Sequence, residues 1–311
     1  MAAAPDELPA VARRRVRLAL RSAREETGKS QHEVADTLGW SLSKLQRVEL
    51  GEVTITPTDL RALLTEYGVV DEERIGALAE DARVSRRERY WTAQEHREYL
   101  PPGLLQLVQF ELAATAIREY QSTLVPGHLQ TRALAEATLS WFDKSLTVEE
   151  RRVRRDVRLA RRRDVIERDG APDFLLMLDE SVLWRTVGGL ETAAEQFEDL
   201  AETAKRPNVH VRVLPRDTGA LLGTFGAFTV LDLSAAEGDA VLYRESYTRD
   251  DLVQDPVEVG YHREVFERFW RRSLDEEASV ALILARAYDL RARIARAACD
   301  VKDDESLPDE S

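Results

Sequence analysis

The sequence predicts a multidomain chain: an all-α domain of five short helices, then a larger mixed α/β (α+β) domain with flanking helices. Three observations point there. Up to about residue 82, apolar residues recur at helical spacing in short blocks, each opened by a hydroxyl, acidic or proline residue or closed by glycine. From Asp173 the texture changes to runs with strand composition: FLLML (174–178), VHVRVLP (209–215), AFTVLDL (227–233) and AVLYRES (240–246). The length of 311 residues suits about two domains.

Taken in order, residues 1–10 read as a flexible arm. The first domain, 11–82, opens with a helix over Val11–Thr27 that carries Val16, Leu20 and Ala23 on one face and stops at Gly28. Ser30, with Glu33 three residues on, has the pattern of a capping box for a second helix whose inner residues are Val34, Ala35 and Leu38. Gly39 supplies a turn. Ser41 caps a third helix with the inner stripe Leu42, Leu45 and Val48. Pro57 opens a fourth with Leu60, Leu63 and Leu64 inside, and Asp71–Ala82 forms a fifth. Residues 83–104 are charged, end in proline and glycine, and read as a linker. In the second domain, 105–298, helical patterns run over Leu105–Tyr120, Gly127–Phe142, Thr147–Asp169, Leu190–Lys205 and Val259–Ala298. Residues 299–311 read as an acidic, disordered tail.

Composition bounds the function classes. No run approaches the ~18–20 apolar residues of a membrane span, so no membrane partner is expected. The N-terminal stretch lacks an apolar core of the kind a secretory signal needs. Cys299 is the only cysteine, which excludes an intrachain disulfide and fits a reducing cytoplasm. The net charge of −13 hides an uneven distribution. From Arg13 to Arg47 there are nine basic and four acidic residues, a local balance of +5.

That basic segment contains QHEVADTLGWSLSKLQRVELG, Gln31 to Gly51. Helix, glycine turn, then a helix beginning at serine is the layout of a helix-turn-helix, whose second helix enters the major groove of double-stranded DNA. Ser43, Lys44 and Arg47 project opposite the apolar stripe, with Ser41 at the tip. Arg47 has the bidentate geometry for guanine O6 and N7. Ser41 and Ser43 reach a phosphate or a base edge, Lys44 suits phosphate, and Gln31 opens its helix where an amide and a backbone N–H face phosphate. Trp40 and Leu42 either touch a thymine methyl or pack. The plainer alternative is an αα-hairpin in a helical bundle with a solvated basic face.

The segment Arg21–Pro57 resembles the Xre family, the Cro/CI-type repressor helix-turn-helix, through Ser30–Gln31, Leu38–Gly39 and the Glu49-x-Gly51 pattern. The resemblance implies that Arg24 and Glu49 form a structural pair. It places Gln31, Ser41, Leu42, Ser43 and Arg47 at DNA-contacting positions, although Leu42 stands where a polar residue is common. It also implies a homodimer on two half-sites. The region from about Glu111 to Tyr288 resembles the C-terminal domain of unknown function carried by WhiJ-like regulators of actinobacteria. The matching stretches are Glu111, VPGHLQT (125–131), the Arg-rich helix (151–163), LDESVLWRTVGG (178–189), VRVLP (211–215), GAFTVLDL (226–233) and VLYRES (241–246). His128 replaces the leucine usual there. This second resemblance implies a regulatory role, often with a small partner protein, and names no ligand.

No catalytic, cofactor or metal site is expected. Asp179 and Glu180 follow a strand as nuclease carboxylates do, but Asp179 reads better as a helix cap. The histidines 96, 128, 210 and 262 show no ligand spacing. The Arg-rich helix either extends a phosphate contact or buries Val153, Val157 and Ala160 while its arginines pair with acids of its own domain. The combined expectation is not an enzyme but a transcriptional regulator, a repressor, whose C-terminal domain dimerises and senses a small-molecule effector or a small partner protein. The alternative is an antitoxin-type protein that neutralises a partner protein and autoregulates its own promoter.

Overall fold

In a computed structural model of the chain, residues 8–86, 99–141, 146–218, 226–234, 239–245 and 250–304 are described. They fall into two units, 1–93 and 94–311.

Among its described residues the first unit has five helices: α1 (Pro9–Thr27), α2 (Gln31–Leu38), α3 (Leu42–Glu49), α4 (Pro57–Glu66) and α5 (Glu72–Ser85). Local signals set their ends. Proline opens α1 and α4, Ser30, Ser41, Thr56 and Asp71 cap the other starts or their own, and Gly28 and Gly39 take the left-handed conformation that ends α1 and α2. One core joins Val16 and Leu20 of α1, Val34 and Ala35 of α2, Leu45 and Val48 of α3, the α4 leucines, and Leu78 and Ala82 of α5. Two expectations need correction. Leu8, Pro9 and Ala10 belong to a buried helical start and not to an arm, because Pro9 occupies the first helical turn; residues 1–7 lie outside the described residues. Residues 83–85 belong to α5, and 102–104 to the next helix, so the linker shrinks at both ends; residues 87–98 lie outside the described residues.

The second unit holds α6 (Pro102–Ala113), β1 (Ala116–Gln121), α7 (Arg132–Ser140), α8 (Val148–Arg162, ending in a π turn at Arg163–Glu167) and β2 (Asp173–Asp179). It continues through α9 (Leu190–Thr203), β3 (Val209–Leu214), β4 (Phe228–Asp232), β5 (Ala240–Glu245), β6 (Asp250–Val253), α10 (Pro256–Trp270) and α11 (Glu276–Asp304). The six strands form one mixed sheet in the order β3-β2-β1-β4-β5-β6. β1, β2 and β3 run parallel, whereas β4, β5 and β6 pair antiparallel. On one face Tyr120, Met177, Phe228, Val230 and Leu242 pack under Val259, Val265, Phe266 and Phe269 of α10. The opposite face carries Ile117 and Glu119 of β1 beside Phe174 and Leu176 of β2, all buried.

The expected helix over Leu105–Tyr120 is overturned: it ends at Ala113, and its last residues form the central strand, paired on both sides. Arg118 and Glu119 concealed that strand. Each is accommodated by a tertiary partner, Arg118 by Asp232 and Glu267 and Glu119 by a buried polar cluster described below. The helix expected over Gly127–Phe142 begins instead with a 3-10 turn, Gly127–Leu129, and resumes as α7 after the Thr131 cap. The span Val259–Ala298 is two helices, broken before Glu276. Residues 299–304 continue α11 instead of beginning a disordered tail; 305–311 lie outside the described residues.

Candidate nucleic-acid interface

Each end of the α2–turn–α3 element is closed by short-range hydrogen bonds. The Ser30 hydroxyl accepts from Glu33 N at 3.2 Å, and the Glu33 carboxylate accepts from Ser30 N at 2.8 Å. Those bonds hold the Glu33 carboxyl below the usual range. Gly39, at φ 64°, turns the chain, and Trp40 N donates back to Ala35 O at 2.8 Å. Ser41 then caps α3, its hydroxyl accepting from Lys44 N at 3.2 Å.

A buried carboxylate locks the element to its neighbours. Glu49, 3% exposed, accepts from Arg24 Nε at 2.8 Å, Arg24 Nη2 at 3.1 Å, Gln31 Nε2 at 2.7 Å and the Tyr67 hydroxyl at 3.4 Å. Arg24 also donates to Lys29 O at 3.0 Å. Its hydrogen bonds to Glu49 hold the guanidinium above its ordinary pKa, while burial and the Glu49 charge push the Tyr67 phenol up. Four donors from α1, α2 and α4–α5 converge on the last residue of α3, so its direction is fixed from three sides.

The DNA-facing residues read from the sequence divide into two groups. Ser41, Leu42, Ser43 and Arg47 are all exposed along the first two turns of α3. Leu42, at 38% exposure, is therefore not part of the inner stripe; Leu45, Val48 and Glu49 fill that face. Arg47 lies a loose 3.7 Å from Glu52, both more than half exposed, and retains the freedom to reach a ligand. The other two are engaged. Lys44 pairs with Asp59 at 3.1 Å and sits 3.7 Å above the Trp40 ring. Gln31, at the first position of α2, gives its amide nitrogen to Glu49, so its side chain serves the joint. Two residues escaped the sequence reading. Gln46 is exposed beside Arg47, and Arg21 joins Arg24, Gln31, Glu49 and Leu50 around an open cleft of about 390 Å³. The i, i+3 spacing of Arg21 and Arg24 was the available signal for that cleft.

Residues 104–285 match the family described as a domain of unknown function, DUF5753. The chain belongs to the DUF5753 family. Residues 16–78 match a family described as a helix-turn-helix domain. No curated protein and no solved structure matches the chain.

Inside the DUF5753 domain, the motifs singled out by sequence meet in one buried cluster. Arg161 of α8 donates to both Glu111 oxygens, with the Nε bond at 2.9 Å. Its Nη2 lies 3.5 Å from His128 Nδ1, and His128 Nε2 lies 3.6 Å from Glu119 Oε2. Gln121 donates to Glu119 at 2.7 Å, and the His128 ring stands edge-on to Phe174 at 5.2 Å. Burial lifts the Glu119 carboxyl to about 7. Burial, then the Arg161 and Arg162 charges, pushes His128 well below the usual imidazole value. The other α8 arginines also have partners in this unit: Arg152 with Glu149, Arg155 with Glu136 and Asp156, Arg162 with Glu167 and Asp199. Val153 and Val157 are buried as the amphipathic pattern requires, but Arg161 takes the next inward position while Ala160 is half-buried. Asp179 caps a 3-10 turn through Ser181 N at 2.9 Å, and Glu180 pairs with Arg216 at 3.0 Å. Among the described residues no group of three or more His, Cys, Asp or Glu could hold a metal ion, and no helix is long and apolar enough to cross a membrane.

Proposed function

We propose that the chain is a cytoplasmic, sequence-specific transcriptional regulator, a non-enzymatic repressor that binds double-stranded DNA as a homodimer. Its DUF5753 domain is the part that receives a signal, from a small partner protein or a small-molecule effector. The observation that carries the DNA assignment is the pairing of a rigid mount with a free face. Glu49 fixes α3, while Ser41, Leu42, Ser43 and Arg47 remain exposed on it. A major-groove helix needs both, because base discrimination depends on donors held at a set distance from the base edges. The paired arginines of α8 argue against a second phosphate-binding surface there. The acidic balance outside the basic segment favours few, specific contacts over strong non-specific attraction.

The test is a gel shift on the DNA upstream of the chain's own coding sequence. Arg47→Ala should weaken specific retardation by roughly 10- to 100-fold, the ~1–3 kcal/mol of a bidentate guanine contact, with circular dichroism unchanged. Undiminished specific binding by that variant removes Arg47 from the recognition set.

A further inference from the structure

α11 is 29 residues long, about 43 Å at 1.5 Å per residue. One side of it is committed: Ser279, Ile283, Ala287 and Leu290 are buried, and the helix packs on α9 and β3. Arg291 reaches Glu191 and Glu198 of α9. Beyond that anchor, every residue from Ala295 to Cys299 is exposed, yet the helix continues to Asp304. A solvated helical extension of this length is marginal in water without a partner.

The uncommitted side is apolar and regular. Ala281, Ala285, Tyr288, Ala292, Ala295 and Cys299 follow one another at alternating steps of four and three, the spacing of a two-helix seam. Tyr288 is 78% exposed, and the exposed Leu284 widens the same strip. Alanine at four of the six positions permits close approach of a second helix.

The charges specify which helix. α11 begins with Glu276, which faces His210, and Glu277; between Leu290 and Cys299 its exposed charges are Arg293 and Arg296, and Asp300, Lys302, Asp303 and Asp304 follow in the sequence. A parallel copy would set like against like. An antiparallel copy sets the acidic start against the Arg293–Arg296 stretch, and a two-fold axis satisfies both contacts at once, with residues 300–304 falling beyond the start of the partner helix. Opposing Glu277 to the partner's Arg296 brings Ala281 opposite the partner's Ala292 and Ala285 opposite the partner's Tyr288. Charge and size therefore select the same register, with each large ring facing a small residue.

We propose that α11 is the self-association surface of this protein: two copies pair antiparallel along Ala281, Ala285, Tyr288 and Ala292, with Glu277 against the partner's Arg296. This deepens the dimeric reading above and rests on it only for the consequence at DNA.

Sedimentation equilibrium of the full chain over the micromolar range is the test, with circular dichroism as the fold control. The wild type should be dimeric. Tyr288→Arg should leave a folded monomer. Glu277→Arg and Arg296→Glu should each weaken dimerisation about tenfold, two like-charge contacts per dimer, and the two changes combined should restore it. A monomeric wild type overturns the proposal, as does a dimer indifferent to Tyr288→Arg or a double variant no tighter than the single ones. Gel shifts separate this from the DNA reading: Arg47→Ala should remain dimeric while its specific retardation weakens as above, and a dimer of wild type that never retards DNA would fail only the DNA reading.

Discussion

Among the described residues, each unit holds a buried glutamate gripped by an arginine, Glu49 by Arg24 and Glu111 by Arg161, and the two pairs are completed differently. In the helix-turn-helix unit, Arg24 and Glu49 have side chains 12% and 2% exposed, and every donor around the carboxylate is neutral or already paired with it. The arginine borders the open cleft with Arg21 and Leu50. In the DUF5753 domain, Arg161 and Glu111 are 9% and 2% exposed, but a second carboxylate, Glu119, and an imidazole lie against the pair. His128 Nε2 has no hydrogen-bond partner. The first pair is a closed joint that aims a helix. The second is a charge network in which the position of one proton is left to its surroundings.

Truncating either acid measures how much solvent each arginine can recover. Glu111→Ala strands a buried guanidinium and should cost about 3–5 kcal/mol. Glu49→Ala should cost less, about 2–3 kcal/mol, because Arg24 can turn into the cleft while Gln31 and Tyr67 lose an acceptor. Equilibrium unfolding in urea checks both, and a larger loss for Glu49→Ala inverts the comparison.

The next effect is one of pH. Glu119 titrates at about 7 in the folded chain against 4.5 for the free group, so the folded state holds the extra proton between those values. Its contribution to stability therefore falls as pH rises from about 4.5 to 7. His128 is displaced downward from 6.5, so the unfolded state takes up the proton first and stability falls as pH drops below 6.5. The two slopes oppose one another, each up to about 1.4 kcal/mol per pH unit. Wild-type stability should be nearly flat between pH 5 and 7 on this account. Glu119→Gln should expose the loss on acidification, and His128→Leu the loss on alkalinisation. Thermal melts across that range decide it; parallel profiles for all three proteins would show that the two groups do not share a proton.

Smaller effects compare the capping boxes. Ser30→Ala opens α2 and Thr147→Ala opens α8, each at about 1 kcal/mol. The eight-residue α2 has few other turns to hold it, so Ser30→Ala should also reduce DNA binding, whereas Thr147→Ala should leave it unchanged in a gel shift. Smallest is Glu52→Ala, which should change stability by less than about 0.5 kcal/mol. It releases Arg47 and should raise non-specific DNA affinity by about twofold at low salt.

The same contrast explains what could be read early. The caps at Ser30 and Ser41, the opening at Pro57 and the stop at Gly39 act within one helical turn, so their residues announce them. The exposure of Leu42 was misread because three residues on an eight-residue helix fit an apolar stripe in more than one rotation. In the DUF5753 domain, β1 was hidden because its Arg118 is answered from 114 residues or more away along the chain, by Asp232 and Glu267. β6, four half-buried residues with two acids, carried no strand signal.

Sequence by itself determined the five-helix unit, the position of its turn, the outward placement of Arg47 and the four strands that are apolar runs. These follow from hydrogen bonds and side-chain periods that close within a few residues. Only the tertiary structure decided that AIREYQ is the central strand, that Gln31 and Lys44 are held by Glu49 and Asp59, and that Glu119, His128 and Arg161 meet. Those outcomes depend on pairing segments distant in the chain, and no local period encodes which segment will arrive.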